Sequence, residues 1–197
     1  RNTSRFLLSN LYDFDPAKHR VPYAQLPELD RWALMRLGEL IPRVRTAYDD
    51  CEFHAIFHAL NNFCSVDLSA VYLDILKDRL YTFRTDSPLR RGSQTVLFDI
   101  VMAMTKLMAP ILSFTAEEIW KFMPGAAQRP ESVFLSTWLQ FPQVTTPQMD
   151  WSQLLELRAA VSGELEKLRV ASAIGAPLDA GVTLYAASPA YEVLNGL

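Results

Sequence analysis

One row of side chains in this sequence could bind a soft metal ion. Cys51, His54 and His58 follow one another at spacings of three and four residues, and Cys64 lies beyond them. Histidines four residues apart on a helix can share a zinc ion, and a cysteine one turn earlier would add a third ligand. On a helix, however, these residues form a single row about 10 Å long, which cannot surround a tetrahedral metal. We therefore interpret the row as core or half-buried packing and predict no metal site.

Glu117 and Glu118 are neighbouring carboxylates of the kind that perform general acid–base catalysis. Their position in the first turn of a predicted helix offers a simpler role, because negative charge is stabilised near a helix N-terminus. The spacing from Thr115 to Glu118 is that of a capping box. A GxSxG nucleophile turn and a glycine-rich phosphate loop are both missing from the sequence. The sequence therefore predicts no catalytic residue.

The remaining candidates are basic and amide side chains, whose chemistry suits RNA. Arginine supplies forked donors for phosphates and a planar face for unpaired bases. Two groups stand out: Arg1, Asn2 and Arg5 in the first predicted helix, and Arg84, Arg90 and Arg91 around the loop before the fourth. Arginines on helix surfaces are also ordinary solvated side chains, and spacing alone leaves both interpretations open.

Composition limits the classes of protein that the chain can belong to. Half of its 197 residues are apolar and 21% are charged, which suits one medium domain or one domain with part of a second. The net charge of −3 argues against binding DNA or other nucleic acid through a general basic field, but allows a local RNA surface. Because apolar runs of about 20 residues are missing, we expect no membrane span. Two unpaired cysteines suit the cytoplasm.

Apolar residues recur at spacings of three and four along most of the chain, which predicts an all-α fold. The pattern indicates a bundle of about five helices, over residues 1–13, about 27–50, 53–80, 88–108 and 115–123. Pro42 falls inside the second helix and is expected to kink or divide it. Ser87 and Pro88 form a start signal for the fourth helix, as a cap residue followed by proline at the first helical position.

Three regions are predicted along the chain. Residues 1–125 form the helical bundle, and residues 126–150, rich in Pro, Gln, Ser and Thr, form a linker-like wrap. Residues 151–197 contain a helix over 151–170 and a strand over 182–187, which we interpret as the start of a small, truncated α/β element. Both ends of the chain are expected to be cuts within a longer protein.

Six phrases of the sequence resemble, in the same order, the anticodon-binding region of bacterial isoleucyl-tRNA synthetases, which are class I aminoacyl-tRNA synthetases. They are Arg1–Pro16 (RNTSRFLLSNLYDFDP), Leu29–Ala33 (LDRWA), Tyr48–His54, Phe63–Ser69 (FCSVDLS), Tyr72–Thr82 (YLDILKDRLYT) and Ala109–Trp120 (APILSFTAEEIW). The last phrase is also similar to segments of valyl- and leucyl-tRNA synthetases. The opening phrase and the stretch from Phe63 to Thr82 look specifically isoleucyl.

The resemblance implies a monomeric module that docks the anticodon stem-loop of tRNA(Ile). Arg1, Asn2 and Arg5 match the opening motif of the family. The parent ligase would attach isoleucine to its tRNA with ATP and Mg²⁺, but this chain lacks HIGH-type and KMSKS-type motifs and is expected to be inactive alone. We expect no cofactor here and place the family's structural zinc past residue 197. The alternatives are the same module of a valyl or leucyl enzyme, and a helical protein–protein scaffold.

Overall fold

The computed structural model describes residues 1–138, 149, 151–188 and 190–195, and the regular elements among them are helical. The chain divides into two compact units, Arg1–Thr146 and Pro147–Leu197. The helices are α1 (Asn2–Ser9), α2 (Glu28–Asp49), α3 (Phe53–Asn62), α4 (Leu73–Thr82), α5 (Pro88–Met108), α6 (Ser113–Phe122), α7 (Trp151–Val170) and α8 (Ala190–Asn195). A π-helix, Phe63–Tyr72, joins α3 to α4. The prediction of an all-α fold is confirmed.

The first unit is built around α5, which packs against α1, α2, α4 and α6. Nearly every turn of α5 is buried, from Arg90 to Leu107. Burial of its apolar side chains stabilises the bundle by roughly 2 kcal/mol for each large residue. The largest fully buried side chains of the unit come from several helices: Trp32, Trp120, Tyr72, Leu7, Leu37, Ile56, Leu97 and Ile100. Ser87 stands before α5 and Pro88 opens it, as predicted, although the serine hydroxyl makes no capping hydrogen bond.

The helix predicted over residues 53–80 is continuous from Phe53 to Thr82, but its middle ten residues are wound as a π-helix. In this segment the Ser69 hydroxyl donates to the carbonyl oxygen of Cys64, five residues earlier, at 2.7 Å. Asp67 of the π-helix is buried and accepts from Nε of Arg36 on α2 at 2.8 Å. The expected division of α2 at Pro42 does not occur, since the helix runs through that residue.

A buried polar cluster connects α2, the π-helix and α4. Asp30 of α2 is fully buried and accepts from the Tyr72 hydroxyl at 2.5 Å and from Nη1 of Arg79 at 2.9 Å. Burial raises the pKa of Asp30, although the hydrogen bond from Tyr72 and the charge of Arg79 oppose the rise. Burial and the neighbouring Asp30 carboxylate raise the pKa of Tyr72 well above its ordinary value. Tyr72 therefore stays protonated and continues to donate.

The segment after α6, predicted as a linker-like wrap over 126–150, packs against α6 over its described part. It contains two short 3-10 turns, Ala126–Gln128 and Val133–Leu135. The indole of Trp120 donates to the carbonyl oxygen of Pro130 at 2.9 Å. The backbone N–H of Val133 donates to the Glu117 carboxylate at 3.1 Å. The remainder of the predicted wrap, apart from residue 149, lies outside the described residues.

The second unit contains α7 and α8 joined by irregular chain. Exposed ion pairs line α7 within single turns, from Lys167 to Glu164 and from Arg169 to Glu166, both at 2.6 Å. The strand predicted over 182–187 is wrong, because a strand needs a paired neighbour and no strand occurs among the residues described. Within that same part of the chain, none of the helices is both long enough and apolar enough to span a membrane.

Replacing Tyr72 with phenylalanine tests the buried cluster, because Tyr72→Phe keeps the ring and removes the donor to Asp30. We expect the free energy of unfolding to fall by about 1–3 kcal/mol, since a buried carboxylate loses a hydrogen bond. Tyr81→Phe is the matched control, because the Tyr81 side chain is exposed, and it should change stability by less than about 0.5 kcal/mol. Chemical denaturation measures both values. Equal stability of the two variants would contradict the role assigned to the Tyr72 hydroxyl.

Candidate nucleic-acid interface

The side chains predicted to contact RNA lie at the two ends of α5 and do not form one cluster. Arg1 and Asn2 line a cavity together with Met104 and Met108, in the last turns of α5. Arg90 and its neighbours lie in the first turns. The length of helix from Arg90 to Met108 corresponds to roughly 27 Å. We call the rim of this cavity the cavity end. The second region, Tyr12 with residues 81–90, is the loop end.

Arg90 is a structural residue and is withdrawn from the candidate RNA contacts. It is only 3% exposed. Its Nη1 and Nη2 atoms donate to the two carboxylate oxygens of Asp13 at 2.6 and 3.1 Å. Its Nε atom donates to the carbonyl oxygen of Leu80 at 3.3 Å. The hydrogen bond to Asp13 raises the pKa of this guanidinium, which stays charged. Because all three nitrogen atoms of this buried guanidinium donate hydrogen bonds within the protein, Arg90 is not available to a phosphate or a base.

Arg91 is likewise held within the protein. Its Nη1 atom donates to the backbone carbonyl of Asp13 at 2.9 Å and to the side-chain oxygen of Gln94 at 2.7 Å. The Gln94 amide in turn donates to the Asp13 carboxylate at 2.7 Å and to the carbonyl oxygen of Asn10 at 2.9 Å. These contacts connect the turn after α1 to the start of α5. Arg91 is therefore also withdrawn from the candidate RNA contacts.

Arg90, Arg91 and Gln94 all donate hydrogen bonds to Asp13. Sequence reasoning did not identify Asp13 as a structural residue. Burial raises the pKa of the Asp13 carboxyl, but the hydrogen bonds from Arg90 and Gln94 outweigh burial and lower the pKa below its ordinary value of 3.8. The partners of Asp13 lie 77 to 81 residues later in the chain. Neither spacing nor periodicity carries information over that separation, so only the fold could bring these side chains together.

Arg84 remains a candidate contact because its side chain is 85% exposed. Its Nε and Nη2 atoms donate to the two carboxylate oxygens of Asp86 at 3.1 and 2.9 Å. This two-point contact fixes the orientation of the guanidinium plane. An exposed pair of this kind contributes little to stability. The predicted contact between Arg84 and RNA stays a prediction, for which the exposed side chain is accessible.

Large exposed side chains lie near Arg84 in the sequence and on the turn after α1, and sequence reasoning did not identify them. Tyr12 is 79% exposed and Tyr81 is 63% exposed, and Phe83 and Leu89 are exposed as well. The signal that could have identified Tyr81 is its position off the buried stripe of α4, which consists of Leu73, Leu76 and Leu80. Large side chains that the core does not use are candidates for binding.

The buried Arg90 guanidinium connects the parts of the loop end. The centre of the Tyr12 ring lies 6.0 Å from the guanidinium carbon, within reach of a cation–π contact. The same guanidinium donates to the carbonyl oxygen of Leu80, the residue before Tyr81. The buried Arg90 guanidinium therefore contacts the Tyr12 ring and the backbone of α4 immediately before Tyr81.

The cavity end has a different chemical character. Its cavity has a volume of about 570 Å³ and is lined mainly by apolar side chains, with Arg1 and Asn2 among the polar ones. Phe53 and Phe57 line it and are exposed. Arg5 is exposed on α1, so the candidates from the opening motif remain accessible. The apolar lining itself offers few donors for phosphates.

Cys51, His54 and His58 are exposed, which corrects the prediction that this row is core or half-buried packing. Cys51, His54 and His58 are all solvent-accessible on or beside α3, whereas Cys64 is half-buried. The ring of His58 lies edge-on to that of Phe57, with 5.4 Å between centroids. Within the described ranges, His, Cys, Asp and Glu side chains nowhere converge in a group of three or more that could hold a metal.

Glu117 has a structural role, and the predicted capping box is not formed. The helix α6 begins at Ser113, two residues before Thr115, so Thr115 and Glu118 lie inside its first turns instead of framing its start. Glu117 accepts hydrogen bonds from the Ser132 hydroxyl and from the backbone N–H of Val133. Its carboxylate therefore holds the segment after α6 in place.

Comparison with known proteins connects this geometry to one family. Residues 30–184 match the family described as "Anticodon-binding domain of tRNA ligase". The "Isoleucine--tRNA ligase" of Moorella thermoacetica is 50% identical over 203 aligned positions, which cover 100% of this chain and 22% of that protein. Its counterpart in Desulfitobacterium hafniense is 48% identical, with 100% and 22% covered. That of Carboxydothermus hydrogenoformans is 50% identical, with 98% and 21% covered. The chain thus spans about a fifth of these relatives.

The contrast between Arg90 and Arg84 is testable by two alanine substitutions. Arg90→Ala leaves the Asp13 carboxylate without its main partner, and we expect the free energy of unfolding to fall by about 3 kcal/mol. Arg84→Ala removes only an exposed pair and should change stability by less than about 0.5 kcal/mol. Urea denaturation of the two variants measures the difference. If Arg90→Ala unfolds at the same urea concentration as Arg84→Ala, the structural assignment of Arg90 is wrong.

The lowered pKa of Asp13 predicts a specific loss of stability in acid. Because the folded-state pKa lies below the unfolded value, the carboxylate stabilises the fold fully above about pH 4, and this stabilisation is lost as the pH falls through the folded pKa. We therefore expect Asp13→Asn to have a lower free energy of unfolding than wild type at neutral pH. The difference between the two should become smaller below about pH 4. Denaturation across this pH range measures the gap. A constant gap down to about pH 2 would contradict the shift.

Proposed function

The chain belongs to the anticodon-binding domains of tRNA ligases, and we propose that it binds the anticodon stem-loop of a tRNA. The match over residues 30–184 is the observation that carries this proposal. Relatives named isoleucine–tRNA ligases align with the whole chain at about half identity, which supports tRNA(Ile) as the partner. The role of the chain is then to hold the stem-loop so that the rest of the tRNA reaches the reactive centre.

In this proposal the attachment of isoleucine, with ATP and Mg²⁺, takes place in a part of the ligase outside this chain. The relatives are about five times longer than the segment that aligns with it. Glu117, the candidate acid or base, is committed to Ser132 and Val133. We also assign the structural zinc of the ligase to sequence past residue 197, and we propose a monomer that works in the cytoplasm.

Contacts with RNA divide into those that position the molecule and those that select its sequence. Phosphate contacts need exposed cations and polar donors; Arg1 and Arg5 are the candidate cations, and Asn2 is a neutral donor beside them. Selective contacts need groups that meet unpaired bases. The loop end carries exposed rings and the oriented guanidinium of Arg84. The separation of the two ends lets one RNA hairpin meet both kinds of contact.

One observation favours a second function beside RNA binding. The cavity end combines an apolar cavity with the exposed rings of Phe53 and Phe57. Exposed apolar surface of this type is typical of contacts between proteins. We therefore retain the protein–protein scaffold as the second candidate function, in which the cavity end contacts the surface of another protein. The proposed tRNA partner does not depend on it.

Binding of an isolated RNA hairpin tests the proposed function. We expect a hairpin with the anticodon stem and loop of tRNA(Ile) to bind the 197-residue chain. Its affinity should fall several-fold between about 50 and 200 mM salt, because counterions are released from each phosphate contacted. Fluorescence anisotropy measures the affinity, and a DNA hairpin of the same sequence is the control.

Two outcomes would contradict this function. Absence of hairpin binding at RNA concentrations of about 1 mM would favour the scaffold alternative, because non-specific binding alone is usually tighter. Equal affinity at low and high salt would exclude docking through phosphates. Isoleucine-dependent pyrophosphate exchange by the chain alone should stay at background, and exchange above background would place catalytic residues inside the chain.

A further inference from the structure

Two cationic side chains contact the buried ring of Trp120 on α6. The Nζ atom of Lys106, in the last turn of α5, lies 5.8 Å from the centre of this ring. The guanidinium carbon of Arg129, which follows the short turn after α6, lies 4.7 Å from it. Trp120 is only 1% exposed, and both cations are half-buried. The two positive charges therefore lie within about 10.5 Å of each other, beside one buried ring.

The hydrogen-bond partners of these two cations are neutral. The Nζ atom of Lys106 donates to the carbonyl oxygen of Thr137 at 3.0 Å, and Nη2 of Arg129 donates to that of Met123 at 2.6 Å. Burial lowers the pKa of both side chains, and no carboxylate within the described part of the chain opposes this effect. A carbonyl dipole does not cancel a full charge. Among the described residues, both positive charges therefore remain uncompensated.

The other arginines that the first unit buries or half-buries are compensated. Each of them forms an ion pair with a carboxylate: Arg31 with Glu28, Arg36 with Asp67, Arg79 with Asp30, and Arg90 and Arg91 with Asp13. A cation that burial removes from water is destabilised unless an anion lies beside it. Lys106 and Arg129 depart from a rule that this unit otherwise follows, which indicates that their anion comes from a ligand.

One donor of Arg129 supports the same conclusion. Its Nε atom is buried and has no acceptor within the described ranges. A bound ion is among the ordinary explanations for a buried donor of this kind. The guanidinium is a planar fork that can donate to two oxygens of one oxyanion, and an ammonium group has three donors, of which Lys106 uses one on Thr137. The two side chains therefore have donors to spare for an oxyanion.

We propose that Lys106 and Arg129 form a phosphate-binding site beside Trp120. A phosphate presents oxygens in several directions, so cations from two different elements can share it, whereas a carboxylate presents two oxygens in one plane. The apolar stems of both side chains pack toward the indole, which limits the freedom they lose when the anion binds. A phosphodiester of RNA and free inorganic phosphate share this chemistry. The RNA source rests on the proposed function, whereas binding of phosphate itself does not.

Titration with inorganic phosphate tests the site without RNA. The indole N–H signal of Trp120 in the NMR spectrum of the 197-residue chain is the probe, and Trp120→Phe identifies it among the four tryptophans. We expect phosphate to shift this signal saturably, whereas sodium chloride at matched ionic strength should not. Lys106→Met and Arg129→Met keep most of the apolar stem. Each should lower the affinity for phosphate about ten-fold, because it removes a charge-assisted hydrogen bond.

Two further variants control for charge and for folding. Lys121→Met removes the same charge from an exposed position on α6 and should leave the affinity for phosphate unchanged. Lys106→Arg keeps the charge and should retain most of the affinity, so the site stays testable where a methionine variant does not fold. Circular dichroism and urea denaturation verify the fold of each variant.

Binding of the tRNA(Ile) anticodon hairpin identifies the source of the phosphate. If the RNA backbone supplies it, Lys106→Met should reduce the slope of log affinity against log salt by about one, and Lys121→Met should not. An unchanged slope in Lys106→Met, together with saturable phosphate binding by wild type, would support the site and assign it to the free anion. Failure of wild type to bind the hairpin would contradict the proposed function and leave the phosphate result standing.

Three results would overturn the site itself. The first is the absence of a saturable shift in folded wild type, and the second is an equal loss of phosphate affinity in Lys121→Met. The third is a purely structural role for the two cations. In that case Lys106→Met and Arg129→Met would unfold at lower urea concentrations than wild type, while their response to phosphate stayed the same.

Discussion

The ion pair between Arg90 and Asp13 is the contact on which the arrangement of the first unit depends. It joins the turn after α1 to the first turns of α5 and, through the carbonyl oxygen of Leu80, to the last turns of α4. Three segments far apart in sequence thus meet at one guanidinium. Arg90 is buried and Asp13 is partly buried, so losing Asp13 would leave the Arg90 guanidinium without a carboxylate partner inside the protein. The Arg90 guanidinium also lies over the ring of Tyr12, 6.0 Å from its centre. The Arg90 guanidinium therefore contributes both to the fold and to the surface of the loop end.

A second buried cluster acts in a similar way along the π-helix. Asp30 of α2 accepts hydrogen bonds from Tyr72 and Arg79. Arg36 of α2 donates to Asp67 of the π-helix, so polar contacts join α2 to the long helical segment at several points. The ten-residue π-helix changes which side chains face α2, since each residue of wider winding turns the helix less. Polar clusters with exact donor and acceptor requirements fix the register of helices whose apolar faces alone could slide.

Much of this fold was predictable from periodicity, whereas the site was only partly so. The bounds expected for α2 and α5 agree with Glu28–Asp49 and Pro88–Met108 within a few residues, because apolar spacing and a Ser-Pro start are local signals. The role of Arg90 could not be predicted, since an arginine in a sequence looks the same whether it faces solvent or a carboxylate 77 residues away. The exposure of the Cys/His row was missed for the same reason. Helical spacing identifies a stripe, but only packing decides which stripe is buried.

The difference between the ends of α5 bears on the proposed binding of RNA by a chain with negative net charge. A net charge of −3 excludes a general basic field, so affinity has to come from few cations and from uncharged contacts. Pairing Arg90 and Arg91 with Asp13 removes two cations from the surface, and Arg90 also contacts the ring of Tyr12. In the proposed function, the chain therefore depends less on long-range attraction, which any nucleic acid would satisfy, and more on short-range contacts. Within that proposal, short-range contacts favour a single-stranded loop, because a duplex offers phosphates in abundance but few open base faces.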